Sequence, residues 1–169
     1  MMAMMVATVA FSIDSMLPAL PVMAQDLTPE APNRAQLVLS AFFVGMGAGT
    51  LFTGPLSDAF GRKTIINLGA ALYILGAVLA WAAPTIELMV AARIMQGIGA
   101  AGPRIVSIAI IRDLYSGREM ARIVSFVMLI FTIVPSLAPL LGSGIIALGG
   151  WRGIFVAFVI FAVISSTWV

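Results

Sequence analysis

Six long stretches of this chain carry almost no charge, and their length limits the folds that are open to it. A helix needs about 20 apolar residues to cross the hydrocarbon core of a bilayer. Runs of that length can be drawn over residues 1–25, 35–57, 64–86, 87–111, 123–148 and 152–169. Because backbone N–H and C=O groups in lipid must be paired within the protein, we expect each run to be an α-helix. The sequence therefore predicts an all-α integral membrane protein with six spans in one bundle.

The composition supports this class and excludes several others. Of the 169 residues, 62% are hydrophobic and 9% are charged, too much apolar surface for a water-soluble globule of this size. The absence of cysteine and histidine removes disulfides, thiol nucleophiles, Ser-His pairs and the commonest zinc ligands. We therefore predict no enzyme activity, metal site or cofactor. The nine basic residues are scattered along the chain, so no nucleic-acid partner is expected either.

The distribution of cations predicts the orientation in the membrane. The connections after the second and fourth runs carry five cations, which are Arg62, Lys63, Arg112, Arg118 and Arg122. The connections after the first, third and fifth runs carry two, which are Arg34 and Arg152. Because lysine and arginine accumulate on the cytoplasmic side, we expect both termini to face the cytoplasm and the protein to lie in the inner (plasma) membrane.

The connection between the second and third runs, GPLSDAFGRK at residues 54–63, places charges against local preference. Asp58 lies at the C-terminal end of a predicted helix, and Arg62 begins the next one, where the helix dipole disfavours each of them. Asp113 repeats the anomaly at the end of the fourth run. We therefore expect Asp58, Arg62 and Asp113 to form a cluster, with Gly61 providing the tight turn. The alternative is a simple helix-helix turn whose charges only set the topology.

This segment resembles the loop between helices 2 and 3 of major facilitator superfamily transporters, and three further motifs in the expected order support the resemblance. DSMLPALP at residues 14–21 is similar to helix 1 of the drug/proton antiporter branch, especially its Bcr/CflA group. RIMQGIGAA at residues 93–101, followed by Arg112 and Asp113, resembles the helix 4 motif. APLLGSG at residues 138–144 approximates the antiporter motif of helix 5, with Ala138 and Ser143 where glycines are usual. The resemblance covers essentially the whole chain and implies one six-helix half of the major facilitator fold, the N-terminal one.

The resemblance also implies roles for individual residues. The loop would act as a cytoplasmic gate made of Gly54, Asp58, Gly61, Arg62, Lys63 and Asp113. Arg93, with Gln96 in the same motif, would take part in proton coupling. The fifth helix, which Pro135 and Pro139 are expected to kink, would seal the protein against proton leak together with Gly142.

Apart from Glu87 and Arg152 at the first positions of their runs, three charged residues lie within the apolar runs. Asp14 is about 18 Å from the outer end of its helix, near the bilayer middle, where an ionisable group usually faces a cavity and serves transport. Asp14 is thus the candidate proton carrier, unless it is permanently bonded to a neighbouring helix. Arg93 and Arg104 are eleven residues apart and differ by only about 20° around their helix, so they share a face. Arg104 lies outside the motif and could instead extend towards the cytoplasm.

Two functional hypotheses follow. The first is a proton-coupled exporter of small amphipathic molecules that works by alternating access and needs a second six-helix half, either another copy of this chain or a different one. With Asp14 ionised, a cavity lined by Asp14, Arg93 and Arg104 would carry a charge of +1 and disfavour dications. The second hypothesis is a truncated or regulatory six-helix module without transport activity. A face made by Gly45 and Gly49 on the second run favours close helix packing and offers a crosslinking test of a homodimer.

Overall fold

The computed structural model describes residues 2–167, which form helices and turns without any strand in that range. Residues 1, 168 and 169, which belong to the first and sixth predicted spans, lie outside the described residues. The helices are α1 (Met2–Asp14), α2 (Leu20–Leu27), α3 (Leu37–Phe60), α4 (Arg62–Ala82), α5 (Ile86–Leu114), α6 (Gly117–Gly149) and α7 (Arg152–Ser166). Within this range, five stretches are long and apolar enough to cross a membrane: Ala3–Leu27, which combines α1 and α2, Pro32–Phe60, α4, α5 and α6. α7 is apolar but shorter, with 15 residues.

The first apolar run is interrupted in its middle, where the sequence suggested one continuous helix. α1 ends at Asp14, a short 3-10 helix covers Leu17–Ala19, and α2 begins at Leu20. Pro18 and Pro21 occupy the first turns of the two new segments. Because proline has no backbone N–H group, each removes one hydrogen bond that a continuous helix would make. The run therefore keeps its direction while its backbone is weakened next to Asp14.

The third run ends earlier than the predicted boundary at residue 86. α4 stops at Ala82, and Ala83 is extended with φ −64° and ψ 120°. Pro84 explains the early end, because the residue before a proline avoids the α conformation. Thr85 then caps α5, its hydroxyl accepting a hydrogen bond of 3.4 Å from the Leu88 N–H.

α5 lies at the centre of one side of the bundle, where it packs extensively against both α3 and α4. α1 packs against α5, α6 and α7, and α4 also packs against α7. Consecutive helices α3 and α4 contact each other little, although a single glycine joins them. α5 is consequently contacted by helices from both halves of the chain, which are α1, α3, α4 and α6.

Glycines allow α3 and α5 to approach closely. Gly45 and Gly49 are buried, and an added Cβ atom at Gly49 would lie 2.8 Å from the Ile98 carbonyl oxygen. An added Cβ at Gly45 would meet the backbone of Ile94 in the same way. The expected close packing therefore occurs, but inside one chain. The idea that two copies could be crosslinked across this face is wrong, because α5 already covers it.

α6 lies at the edge of the bundle. Of its 33 residues, only Val127, Ala138 and Gly142 are buried. The helix continues through Pro135 and Pro139, so the expected kink remains a prediction. Gly142 packs directly on the backbone of Ser15, and a Cβ atom added there would lie 3.1 Å from the Ser15 Cα atom. The interrupted first run and the fifth-helix motif therefore meet beside Asp14.

Candidate functional site

Three charged side chains from α3, α4 and α5 meet at one end of the bundle. Arg62 contacts Asp58 through Nη1 and Oδ1 at 2.8 Å, and it contacts Asp113 through Nη2 and Oδ2 at 3.1 Å. Its Nε atom donates to the same Asp113 oxygen at 3.2 Å, and Nη1 donates to Ser57 Oγ at 2.6 Å. We call Asp58, Arg62 and Asp113 the charged cluster. Gly61 makes it possible, because its φ of 88° reverses the chain between Asp58 and Arg62 within one residue.

The charged cluster has well-formed contacts but contributes little to the free energy of folding. The Arg62 guanidinium binds three groups at once, which the planar fork of arginine permits. The Asp58 and Asp113 side chains are 68% and 49% exposed, however, and exposed ion pairs contribute only about 0.2–1 kcal/mol each. A contact of this strength can form and break during a conformational change.

Two residues of the predicted gate lie outside the charged cluster. Lys63 is exposed and forms no ion pair within residues 2–167. Gly54 is only partly buried, and a Cβ atom added there would meet nothing within 4 Å. Gly54 is therefore not required by packing inside this bundle.

Arg93 is completely enclosed in the centre of the bundle. Its Nη1 atom donates to Gln96 Oε1 at 2.7 Å. Nε and Nη2 donate to the backbone carbonyls of Val38 and Ser12, both at 3.3 Å. The guanidinium also lies over the Phe42 ring, 4.5 Å from its centroid, which adds a cation–π interaction. Arg93 thus links α5 to α1 and α3, with its charge stabilised by dipoles and an aromatic face.

Further buried polar side chains lie in the same part of the bundle as Arg93. Gln96 is fully buried, and its Nε2 atom has no hydrogen-bond partner among the described residues. The Tyr73 hydroxyl on α4 is hydrogen-bonded to Ser12 Oγ, which itself donates to the Thr8 carbonyl at 2.7 Å. The sequence reasoning missed Ser12 and Tyr73. A tyrosine hydroxyl in the middle of an apolar run was the available signal, because such a group needs a partner.

Arg104 has very different surroundings, although it shares a helix face with Arg93. It is only partly buried, and its single polar contact within the described residues is from Nη1 to Met46 Sδ at 3.8 Å. Thioether sulfur is a weak acceptor. No carboxylate pairs with Arg104 within residues 2–167.

Asp14 ends α1 at the interruption of the first run and is half-buried. Its side chain forms neither a hydrogen bond nor an ion pair with any described residue. The backbone carbonyl of Ser12, two residues earlier, accepts a hydrogen bond from Arg93, and Asp14 lies about 200° around the helix from Ser12. The structure therefore separates the expected group of Asp14, Arg93 and Arg104: Arg93 is enclosed, and no ion pair joins Asp14 to either arginine.

The sequence also missed a contact at the opposite end of the bundle. Trp151 is buried between α6 and α7, and its indole N–H donates to Asp26 Oδ2 at 2.7 Å. Arg152 stacks on the same indole, 4.2 Å from the ring centroid. Arg34 in the α2–α3 connection and Glu87 in the first turn of α5 form an exposed ion pair of 3.0 Å. These contacts hold the helix ends on this side of the bundle together.

The chain matches a known protein family over nearly its whole length. The sequence profile of the Major Facilitator Superfamily matches residues 2–169. The chain is similar to the MFS-type transporter YdgK of Bacillus subtilis, with 38% identity over 146 residues, 85% of this chain and 36% of that protein.

Two further relatives have names that refer to drug resistance. The bicyclomycin resistance protein homolog of Haemophilus influenzae is 36% identical over 145 residues, 86% of this chain and 36% of that protein. The multidrug resistance protein MdtL of Escherichia coli is 37% identical over 143 residues, 85% of this chain and 36% of that protein. The chain thus spans about a third of the length of the curated relatives it matches.

Proposed function

The chain belongs to the Major Facilitator Superfamily, and from this premise we propose that it forms one six-helix half of a proton-coupled exporter of small amphipathic molecules. The two halves enclose the substrate and expose it alternately to the two sides of the membrane. The multi-pass chain lies in the inner membrane, with both termini in the cytoplasm. The relatives named for bicyclomycin and multidrug resistance support drug-like substrates.

The state of Asp14 is the observation that carries this proposal. It is the only acid inside the first apolar run, it is half-buried, and it has no partner among the described residues. A carboxyl group used only for packing would be paired, because an unpaired polar group inside a membrane is costly. An unpaired carboxyl can instead exchange a proton when its access to water changes.

The interruption beside Asp14 supports its role in a moving helix. Pro18 and Pro21 leave the backbone of the first run with fewer internal hydrogen bonds immediately after this residue. Gly142 of α6 packs against the backbone of Ser15, next to Asp14. Protonation of Asp14 can therefore be coupled to the packing of α1 against α6, while Arg93 keeps the enclosed part of the bundle rigid.

The charged cluster is proposed as the cytoplasmic gate. It joins three helix ends through one guanidinium, so a rotation of α3 relative to α5 cannot keep both ion pairs at their present distances. Its modest energy suits a contact that opens in every transport cycle. Gly54 and Lys63 would act through the second half, since neither is used within the described part of this bundle.

Exposed polar stripes on two helices support the need for a second half. α6 carries Ser125, Thr132, Ser136 and Ser143 on one exposed face. α3 carries Ser40, Gly47 and Thr50, which are also exposed. Small and hydroxyl-bearing residues favour helix-helix contact in membranes over contact with lipid. The partner is either a second copy or a different six-helix chain.

The test of this proposal is proton movement driven by substrate. Everted membrane vesicles containing the protein are energised, and proton release is recorded on addition of bicyclomycin and of a panel of neutral and anionic amphipathic dyes. We expect release with the native chain, loss of release in Asp14→Asn, and retention in the control Glu119→Gln, which removes an exposed acid at the start of α6. Release that persists in Asp14→Asn contradicts the role of Asp14, and absence of release with every compound contradicts the exporter.

A further inference from the structure

We infer that Arg104 binds the anionic group of the transported molecule, so that the preferred substrates are amphipathic acids such as carboxylates or sulfonates. The inference rests on the proposed function and adds a substrate class to it. It rests on three observations: the position of the Arg104 guanidinium, the absence of an ion pair to it among the described residues, and the contrast with the well-bonded Arg93.

The register between α3 and α5 defines how deep the Arg104 side chain lies. Gly45 faces Ile94 and Gly49 faces Ile98, so the two helices run parallel with a constant offset. By the same offset the Cα atom of Arg104 is level with Pro55. Met46 is nine residues before Pro55, about 13 Å nearer to the Ile86 end of α5.

The contact between Arg104 and Met46 therefore requires the guanidinium to reach back towards the Ile86 end. This direction agrees with the tilt of Cα–Cβ bonds towards the helix N-terminus. α5 has 29 residues and is about 43 Å long, and the Arg104 Cα lies about 15 Å from its Leu114 end. Reaching back brings the charge close to the middle of the helix. The alternative of an arginine extending to the cytoplasmic surface is inconsistent with this contact.

The charge of Arg104 lacks compensation at that depth. Met46 Sδ, at 3.8 Å, is its one polar contact among the described residues, and it is a weak acceptor. Arg93 on the same helix face shows how a buried guanidinium is satisfied, with an amide, two carbonyls and an aromatic ring. Within residues 2–167, Arg104 has none of these.

A partly exposed, unpaired cation near the middle of a membrane helix requires either water or an anion beside it. A substrate pathway provides either one, because it admits water and then an acidic molecule, whose carboxylate can bind the guanidinium fork with two hydrogen bonds. Phosphate groups of lipids remain at the bilayer surface, too far from this position. The apolar residues around Arg104 would receive the rest of an amphipathic molecule.

The natural absence of cysteine allows a test that does not depend on transport. Met46→Cys introduces a single thiol beside Arg104 in the full chain in membranes, which is labelled with a negatively charged sulfonatoethyl and a positively charged trimethylammonium-ethyl methanethiosulfonate. We expect the anionic reagent to modify the thiol faster than the cationic reagent does. The ratio of the anionic to the cationic labelling rate should fall severalfold in Met46→Cys/Arg104→Gln. Asn33→Cys, an exposed site in the α2–α3 connection at the other end of the bundle, serves as the control whose ratio should not respond to Arg104→Gln.

Two results of this labelling would overturn the inference. If neither reagent modifies the thiol introduced at position 46, water and ions do not reach Arg104. An unchanged rate ratio after Arg104→Gln would show that the charge does not act on the pathway.

The substrate class is tested with matched compounds in the vesicle assay. An aromatic carboxylic acid and its uncharged amide are compared in the native chain, Arg104→Gln and Arg104→Lys. We expect the acid to be preferred by the native chain, the preference to disappear in Arg104→Gln, and part of it to return in Arg104→Lys. If both compounds are transported and their rates are the same in the native chain and in the Arg104 variants, this inference is contradicted and the proposed function is not. The same result is expected if a carboxylate of the second half is paired with Arg104, and it contradicts the inference in that case too. Absence of transport of every compound tested contradicts the proposed function instead.

Discussion

At the scale of single residues, the surroundings of Arg93 show how this bundle holds a charge in its interior. The guanidinium is fully buried, and its acceptors come from three helices. Among its acceptors in the described part of the chain, Gln96 alone is a side chain, so it is the one that a substitution can remove. Tyr73 and Ser12 stabilise the same region through a separate hydrogen bond between hydroxyl groups.

We predict that Gln96→Leu destabilises the chain more than Tyr73→Phe does. Leucine leaves Arg93 Nη1 without its acceptor, which costs about 1–3 kcal/mol or more because the donor is charged. Phenylalanine removes one hydrogen bond between neutral groups, worth about 0.6 kcal/mol on average in membrane helices, and Ser12 keeps its bond to Thr8. Reversible unfolding in mixed micelles measures both. Equal losses of stability would indicate that Gln96 does not compensate the charge of Arg93.

At the scale of helices, the contact between α3 and α5 is defined by residues without side chains. Gly45 and Gly49 of α3 and Gly97 of α5 bring the two backbones together, and an added Cβ at Gly97 would lie 2.8 Å from the Met46 nitrogen. Gly47 lies between the two α3 glycines but is exposed, with nothing within 4 Å of a Cβ placed there. Gly45 is therefore needed for the close contact between α3 and α5, whereas Gly47, two residues later, is not.

We predict that Gly45→Ala lowers the stability of the chain by about 1–3 kcal/mol, because the new methyl group forces the helices apart. Gly47→Ala is the matched control and should be neutral or slightly stabilising, since alanine favours a helix over glycine by about 1 kcal/mol. Thermal unfolding of the purified variants in detergent compares them directly. A comparable loss in Gly47→Ala would mean that helix propensity or lipid contact, instead of the α3–α5 approach, determines these positions.

The charged cluster belongs to the same scale because it connects three helix ends. We predict that Arg62→Gln strongly reduces the initial rate of transport and changes the free energy of unfolding by no more than about 2 kcal/mol, the sum expected for two exposed ion pairs. Lys63→Gln removes the neighbouring cation, which has no ion pair in the described part of the chain, and should retain more activity. Retention of the native transport rate in Arg62→Gln would show that the cluster only sets the topology of the connection.

At the scale of the whole molecule, the exposed polar stripes of α3 and α6 are the surfaces on which the proposed second half would pack. Hydroxyl groups on α6 are satisfied locally, as Thr132 and Ser143 donate to carbonyls four residues earlier at 2.9 and 2.8 Å. They can therefore contact another helix without an unpaired donor. The buried face of α3 is already occupied by α5, so any partner must approach from the Gly47 side.

We predict that single cysteines at Gly47 and Thr132 crosslink to a second half in membranes, whereas a cysteine at Gly49 does not, because α5 covers it. The mass of the particle in lipid nanodiscs provides the accompanying measurement, with 17.7 kDa expected for one chain. A homodimer would give crosslinks between copies and twice this mass. Crosslinking at Gly49 with the same efficiency would contradict the arrangement of α3 against α5.

The amino-acid sequence by itself determined the class of the protein and where its apolar membrane-spanning runs lie along the chain. Uncharged runs of about 20 residues have one stable form in lipid, because the backbone must satisfy its own hydrogen bonds. The meeting of Asp58, Arg62 and Asp113 could also be predicted, since each charge opposed its own helix dipole and needed a partner. The early end of α4 was readable from Pro84, and the break after Asp14 from Pro18 and Pro21, but neither was predicted.

Only the tertiary structure decided which side chains are enclosed. Helical periodicity places Arg93 and Arg104 on one face, but it does not say which neighbouring helix covers that face at each level. α1 and α3 close around Arg93, and Arg104 is left partly exposed beside Met46. In the same way, the glycines at positions 45 and 49 indicated a close contact without identifying α5 as the partner. Burial depends on contacts between residues that are distant in the chain, so these distinctions appear only when the helices are packed.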